Sequence, residues 1–152
     1  MEMRLKSPAF PNGGAIPSRF SCHGANVSPH LEWEGVPDAT RTLALICDDP
    51  DAPAGTWVHW VIFNIPAAAC MLPEAVPAQK SLPDGSRQGV NDFGKIGYGG
   101  PCPPGGTHRY FFKLYALDAE LTLPAGARME QLLSAMAGRI LADCQMLGTY
   151  GR

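Results

Sequence analysis

The sequence predicts a mostly β fold in which two antiparallel sheets form a sandwich and one amphipathic helix follows late in the chain. Three apolar or aromatic segments of strand length predict the sheets. The 17 glycines and 15 prolines supply turns between many short strands. Apolar spacing near the C terminus predicts the helix. Because 152 residues is an ordinary length for one domain, we predict a single domain over residues 1–152.

The strand predictions depend on how apolar side chains are distributed along three segments. Residues 42–48 form a short apolar run that ends in acidic turn residues, which is typical of a buried strand. Residues 57–65 carry Trp, Val, Ile and Phe at both alternating positions and therefore predict a strand covered on both faces. Residues 108–117 are again aromatic and extended, and their alternation places His108 and Tyr110 on one face.

An apolar stripe predicts one amphipathic helix packed on the sheet. Its members recur mostly at intervals of three and four residues, with charged and polar residues between them. They are Met129, Leu132, Leu133, Met136, Ile140 and Cys144. Residues 145–150 then suit a short final strand, although Gly148 and Gly151 disfavour that structure.

A long segment between the second and third predicted strands, residues 66–107, is rich in Pro and Gly. Connections of that length in a compact domain are usually functional. Within it, residues 98–106 mix rigid prolines with glycines, so we expect backbone N–H groups there to line a concavity without obstruction by side chains. This run is not a phosphate-binding P-loop, because it lacks the Gly-Lys-Ser/Thr ending and the following helix.

Charge and hydropathy exclude two classes of partner. A formal charge of -2 and a pI near 6.0 give no net attraction to nucleic acid or to an anionic membrane. The longest apolar run, residues 57–72, is interrupted by polar residues and proline and is short for a bilayer span. The first ten residues lack the unbroken apolar stretch of a secretory signal. We therefore expect a soluble, cytoplasmic protein with no nucleic-acid partner and no membrane insertion.

The five cysteines are odd in number and widely scattered, and none forms a Cys-x-x-Cys pair. This distribution predicts free thiols. Cys102 lies in the run of glycines and prolines, where a thiol nucleophile or redox sensor is a second interpretation.

Five polar side chains stand out on the predicted strands and at their ends. Asp49 and Asp51 follow the first strand, where two prolines fix the backbone. His59 interrupts an apolar strand, and His108 and Tyr110 share a face of the third. Each has an ordinary explanation, since turn aspartates accept backbone hydrogen bonds and a core histidine needs a polar partner. Together they predict one pocket in which imidazole and phenol groups bind an oxyanion.

Three ordered motifs resemble the phosphatidylethanolamine-binding protein family. They are Asp-Pro-Asp-Ala-Pro at residues 49–53, Trp-Val-His-Trp at 57–60, and Gly-Pro-Cys-Pro-Pro at 100–104 followed by His-Arg-Tyr at 108–110. Residues 24–33 and the last five residues are also similar to the prokaryotic, Raf-kinase-inhibitor-like branch of this family. The resemblance therefore covers nearly the whole chain.

The resemblance implies two antiparallel sheets with Greek-key links and an anion pocket at the strand ends. It implies no catalytic role, and we expect no cofactor and no metal ion. By matching position, eight residues are expected in the pocket, the last three of them as walls. They are Asp49, Asp51, His59, His108, Tyr110, Trp57, Gly100 and Pro103.

We therefore expect a binding protein, not an enzyme, that holds a phosphate-like anion or a phosphorylated head group. The alternative is a phosphate-ester hydrolase that uses a metal ion or acid–base catalysis. A third interpretation is a module that binds or regulates a protein partner such as a kinase or protease. A homodimer is also plausible, because exposed sheet edges of a small sandwich are often covered by a second subunit.

Overall fold

Two antiparallel sheets and one α-helix make up this computed structural model, which describes residues 2–151. This architecture confirms the predicted mostly β fold class, and the three strands expected from the sequence correspond to β3, β4 and β7. In chain order the described elements are β1 (Arg4–Lys6), β2 (Leu31–Glu34), β3 (Thr42–Asp49), β4 (Trp57–Pro66), β5 (Met71–Leu72), β6 (Arg87–Gln88), β7 (Thr107–Leu117), α1 (Met129–Met136) and β8 (Ile140–Gly151).

The larger sheet has the strand order β6-β4-β3-β7-β8, with every neighbouring pair antiparallel. Strand β3 is the central strand, and all eight of its residues are buried. Its pairing places Asp49 opposite Trp57 at the start of β4, and Asp48 opposite Phe111 of β7. The last residues of β3 and the first residues of β4 and β7 therefore meet at one end of the sheet.

Both faces of the larger sheet are covered, because its central strands carry apolar side chains on both sides. The smaller sheet, with strand order β1-β2-β5, packs on one face. Buried side chains between the two sheets include Leu31, Trp33, Leu45, Trp60 and Phe112. Helix α1 and the segment before it pack on the other face. Buried side chains there include Ile46, Val61, Phe63, Leu132 and Met136.

The predicted helix over residues 129–144 is wrong beyond Met136, where α1 ends. Gly138 adopts a φ of +77°, a left-handed conformation that commonly ends a helix. Ile140 then begins β8, which pairs with the whole length of β7. The predicted final strand is confirmed and is longer than expected. Over residues 2–151, no helix is both long and apolar enough to cross a membrane.

The prediction of free thiols is wrong for two of the five cysteines. Cys22 and Cys102 form a disulfide that joins positions 80 residues apart, whereas Cys47, Cys70 and Cys144 are free. Scattered spacing concealed this pair, because separation along the chain says nothing about distance in the fold. With its sulfur bonded, Cys102 also has no thiol to act as the nucleophile considered above.

Asn64 connects the larger sheet to the segment before α1. It lies in a β-bulge of β4 and adopts a φ of +55°, which asparagine tolerates better than most residues. Its side-chain amide donates to Leu121 O, and its side-chain oxygen accepts from Leu121 N, both at 2.8 Å. All of these polar atoms are buried, so they depend on each other for hydrogen bonding.

We expect Asn64→Ala to lower the free energy of unfolding by about 2–4 kcal/mol, because two buried backbone groups of Leu121 lose their partners. Urea unfolding followed by tryptophan fluorescence measures this loss. Asn64→Gly is the matched variant, since glycine accepts the positive φ without strain. Equal losses in the two variants would identify the hydrogen bonds as the cause. A loss below about 0.5 kcal/mol in both would contradict this account.

Candidate functional site

A cavity of about 240 Å³ opens where β3 ends and where β4 and β7 begin. Antiparallel pairing brings these strand ends together, and the long segment between β6 and β7 closes one side. The lining residues are Asp49, Ala52, Pro53, Trp57, His59, Phe93, Cys102, Pro103, Pro104, His108 and Tyr110. Six of the eight residues expected in a pocket are therefore brought together here.

Asp49 and His108 form a buried pair on the polar side of the cavity. Asp49 is 3% exposed, and one of its carboxylate oxygens lies 2.7 Å from His108 Nδ1. The other oxygen accepts a hydrogen bond from the backbone N–H of Asp51 at 2.8 Å. Because a carboxylate accepts hydrogen bonds, His108 Nδ1 carries the proton and Nε2 is left for other contacts.

His59 has the same arrangement with a different partner. This residue is 3% exposed, and its Nδ1 lies 2.6 Å from the carbonyl oxygen of Gly99. A carbonyl only accepts, so Nδ1 is the protonated nitrogen and Nε2 of the neutral ring is an acceptor. Burial lowers the pKa of His59, although the Gly99 carbonyl and the charge of Asp49 oppose this change. Burial therefore favours the neutral ring of His59.

Tyr110 packs against both imidazoles. Its ring centroid is 5.2 Å from that of His59 in an edge-on arrangement and 6.4 Å from that of His108 in a stacked arrangement. Burial raises the pKa of Tyr110, followed by the negative charge of Asp49. The phenol therefore keeps its proton and remains a hydrogen-bond donor.

The other walls of the cavity are apolar and include a residue that the sequence analysis missed. Phe93 is 41% exposed and contacts Trp57 and His59 edge-on, with ring centroids 5.5 Å and 5.4 Å away. Asp92 positions it, because its carboxylate accepts from Val58 N and its own N–H donates to Val58 O. The turn signal Asn-Asp-Phe-Gly inside the long segment was the available clue.

Two of the expected pocket residues lie elsewhere. Asp51 forms a bidentate pair with Arg109 at 2.8 and 2.9 Å, on the exposed side of β7. Hydrogen bonds from Arg109 lower the pKa of Asp51 to about 2. Gly100 packs behind the wall, where a Cβ atom would collide with the carbonyl oxygen of Phe20. Both residues therefore support the site from outside the cavity.

Two of the backbone N–H groups expected to face the cavity are used for other bonds. Gly99 N donates to His59 O at 2.9 Å, and Gly100 N donates to Asn26 Oδ1 at 2.8 Å. The prolines in the same run have no N–H to offer. At these positions the run therefore contributes shape and rigidity, not hydrogen-bond donors.

The cavity has an unusual charge balance for an anion site. Of the residues that the structure describes, no Lys or Arg lines it, and Asp49 is its one carboxylate. Any positive charge in the lining must therefore come from His59 or His108. A neutral imidazole accepts a hydrogen bond at Nε2, for example from a P–OH group, whereas a protonated one donates to an oxyanion.

Comparisons with known proteins agree with the motifs. A sequence model of the family described as Phosphatidylethanolamine-binding protein matches residues 6–151. A UPF0098 protein of Methanothermobacter thermautotrophicus is 57% identical over 150 residues, which make up 99% of each chain. Both matches extend over almost the whole chain.

Two crystal structures have the same fold. A phosphatidylethanolamine-binding protein homologue of Chlamydia trachomatis has a TM-score of 0.92 at 40% identity, covering 99% of this chain and 98% of its own. YbcL of E. coli, described as a member of the mammalian family, has a TM-score of 0.92 at 33% identity, covering 100% and 99%. This chain therefore belongs to the phosphatidylethanolamine-binding protein family, as its sequence motifs predicted.

Proposed function

We propose that this chain is a binding protein that holds a phosphate-like anion, either free or as a phosphorylated head group, in the cavity beside Asp49. One observation carries the proposal. His59 and His108 both have Nδ1 held by a protein acceptor, which leaves Nε2 of each ring free, and both rings line the cavity together with Tyr110, which packs against each of them. Three polar groups converging on one small space suit a tetrahedral oxyanion.

In the proposed complex, protonation of one imidazole supplies the positive charge that attracts the anion. A protonated Nε2–H and the Tyr110 hydroxyl donate to oxygens of the ligand, and such charge-assisted bonds are stronger than neutral ones. The carboxylate of Asp49 balances the positive charge of one protonated imidazole. It also repels the second negative charge of a phosphate dianion. We therefore propose a monoanion, or an ester whose P–OH donates to a neutral imidazole.

The apolar walls indicate that the ligand extends beyond its phosphate. Trp57, Phe93, Pro103 and Pro104 line the same cavity as the polar groups. Phe93 leaves 41% of its surface exposed, although a large apolar side chain at a cavity mouth is normally covered by what it binds. A phosphate ester with a small apolar substituent suits both the polar groups and the apolar walls of the cavity.

We favour binding over hydrolysis of a phosphate ester. The cavity lining offers four titratable groups, Asp49, His59, His108 and Tyr110. Asp49 and His108 bind each other, and burial raises the pKa of the Tyr110 phenol, which makes it a poor nucleophile. Cys102, the one cysteine in the lining, is bonded to Cys22 and offers no thiol. The free Nε2 atoms could act as bases, but the lining residues described here give them no activated serine, threonine or thiol nucleophile.

Three further expectations stay predictions: a kinase or protease as partner, a homodimer and a cytoplasmic location. The disulfide bears on the last, because such bonds are typical of oxidising compartments and of some intracellular proteins of hyperthermophiles. Cell fractionation tests the location, and co-purification with the cavity empty or filled tests the protein partner.

We expect His108→Gln to weaken binding of a phosphate monoester by about 10- to 100-fold, because one charge-assisted hydrogen bond is lost. Glutamine still offers an N–H to Asp49, so the fold should persist. Titration calorimetry measures affinity, and urea unfolding checks stability.

His30→Gln is the matched control for this prediction, because His30 lies outside the cavity lining. It should bind as the unmodified chain does. Equal affinity in His108→Gln would contradict the proposal. Release of inorganic phosphate from the monoester that depends on His108 would instead support the hydrolase.

We expect affinity for a phosphodiester to rise as pH falls from about 8 to 5, the interval around histidine titration. A diester keeps one negative charge throughout this range, so any trend comes from the protein. Each proton taken up on binding contributes at most about tenfold per pH unit. Because burial lowers the pKa of His59, the increase in affinity that comes from protonation of His59 should appear below about pH 6.5. Calorimetry showing constant affinity would count against the proposed site.

A further inference from the structure

A second group of reactive side chains surrounds the Cys22–Cys102 bond, apart from the polar groups of the cavity. One imidazole nitrogen of His23 and the two Sγ atoms all lie within 4.8 Å of one another. His23 and Cys102 are exposed, so solutes can reach this group. Within residues 2–151 it is the one set of three Cys, His, Asp or Glu side chains close enough to share a metal ion.

The His23 ring is held by residues other than the cysteines. Its Nδ1 lies 2.7 Å from the Tyr150 hydroxyl, and the two rings stack with centroids 5.8 Å apart. Ser21 Oγ hydrogen bonds to the same hydroxyl at 2.9 Å. Metal-binding imidazoles are commonly oriented by such outer partners. Tyr150 and Ser21 therefore fix the imidazole whether or not the sulfurs are bonded to each other.

The two cysteines are also kept adjacent by hydrogen bonds that do not involve sulfur. Cys22 N donates to Pro101 O at 3.0 Å, directly beside Cys102. The partly buried Tyr98 donates its hydroxyl proton to Phe20 O at 2.6 Å and joins the same two segments. These bonds remain when the disulfide is reduced, so the two thiols stay next to each other and to His23.

Two thiolates and one imidazole are a ligand set that suits zinc. Zn²⁺ is normally four-coordinate, and sites with three protein ligands, including Cys₂His, leave the fourth position to water. Thiolates also favour Zn²⁺ over Mg²⁺ and Ca²⁺, which prefer oxygen ligands. The oxidised chain has no thiolate to offer here, so binding depends on the oxidation state.

We infer that the reduced chain binds one Zn²⁺ ion through Cys22, His23 and Cys102, where the oxidised chain has its disulfide. Reduction by a dithiol breaks the S–S bond, delivers two electrons and two protons to the sulfurs, and leaves the reductant as a cyclic disulfide. Zn²⁺ then displaces the two protons and forms two Zn–S bonds and one Zn–N bond. Because Cys102 lines the cavity, this ion lies at the cavity wall.

The test uses Co²⁺ as a spectroscopic probe in a Cys70→Ser/Cys144→Ser chain. These substitutions remove two free thiols and leave Cys47, which is buried, as the one thiol besides Cys22 and Cys102. A phosphine reduces the disulfide and takes oxygen from water as it becomes phosphine oxide. We expect one equivalent of Co²⁺ per reduced chain, with thiolate-to-cobalt charge-transfer absorption that one equivalent of Zn²⁺ removes. The oxidised chain should show no such absorption.

Two variants in the same chain assign the ligands. Cys22→Ser and His23→Ala should each weaken Co²⁺ binding beyond the roughly 10- to 100-fold that outer partners contribute, whereas His30→Ala should leave it unchanged. Circular dichroism monitors the fold of the reduced chain. The inference is overturned if the reduced chain unfolds, if it binds no cobalt, or if either ligand variant binds as tightly as its parent.

Discussion

The buried carboxylate of Asp49 is the constraint on which the cavity depends. A carboxylate that is 3% exposed destabilises the fold by several kcal/mol unless partners satisfy it. Its two oxygens accept from Asp51 N and His108 Nδ1, groups that follow β3 and begin β7. The same interaction therefore holds two strand ends together, fixes the tautomer of His108 and places a negative charge in the cavity lining.

The layered fold makes this constraint effective. Strands β3 and β4 are buried on both faces, so their side chains are fixed by packing from two directions. His59 lies on β4 inside this packing, and its ring is held further by the carbonyl of Gly99. The Gly99 segment is in turn fixed by hydrogen bonds and by the Cys22–Cys102 bond. Rigid strands supply the imidazoles, and a restrained connection supplies the walls.

Pattern and motif predicted the central strands, because strand periodicity is a local property of the sequence. Six of the eight residues predicted for the pocket line the cavity, because the ends of paired strands meet there. The errors share a cause. Helix periodicity continued through Cys144, but Gly138 turns the chain and pairing with β7 supplies partners that no local pattern contains. Asp51 points away because Arg109 binds it, and the Cys22–Cys102 bond joins distant segments. Each miss depends on a partner remote in sequence.

The apolar and the titratable residues of the cavity lining differ in how they depend on pH. Apolar contacts with Trp57 and Phe93 do not change with pH, so they contribute to binding of any ligand with a suitable substituent. A neutral imidazole of His59 or His108 accepts a hydrogen bond at Nε2, and a protonated one donates it. Asp49 remains an acceptor in both cases. Under the proposed function, Asp49 would repel the second charge of a dianion, and the lining would prefer a monoanion to a neutral ligand once an imidazole is protonated. Anion binding would in turn stabilise the protonated ring, so the proposed ligand and the proton would bind cooperatively.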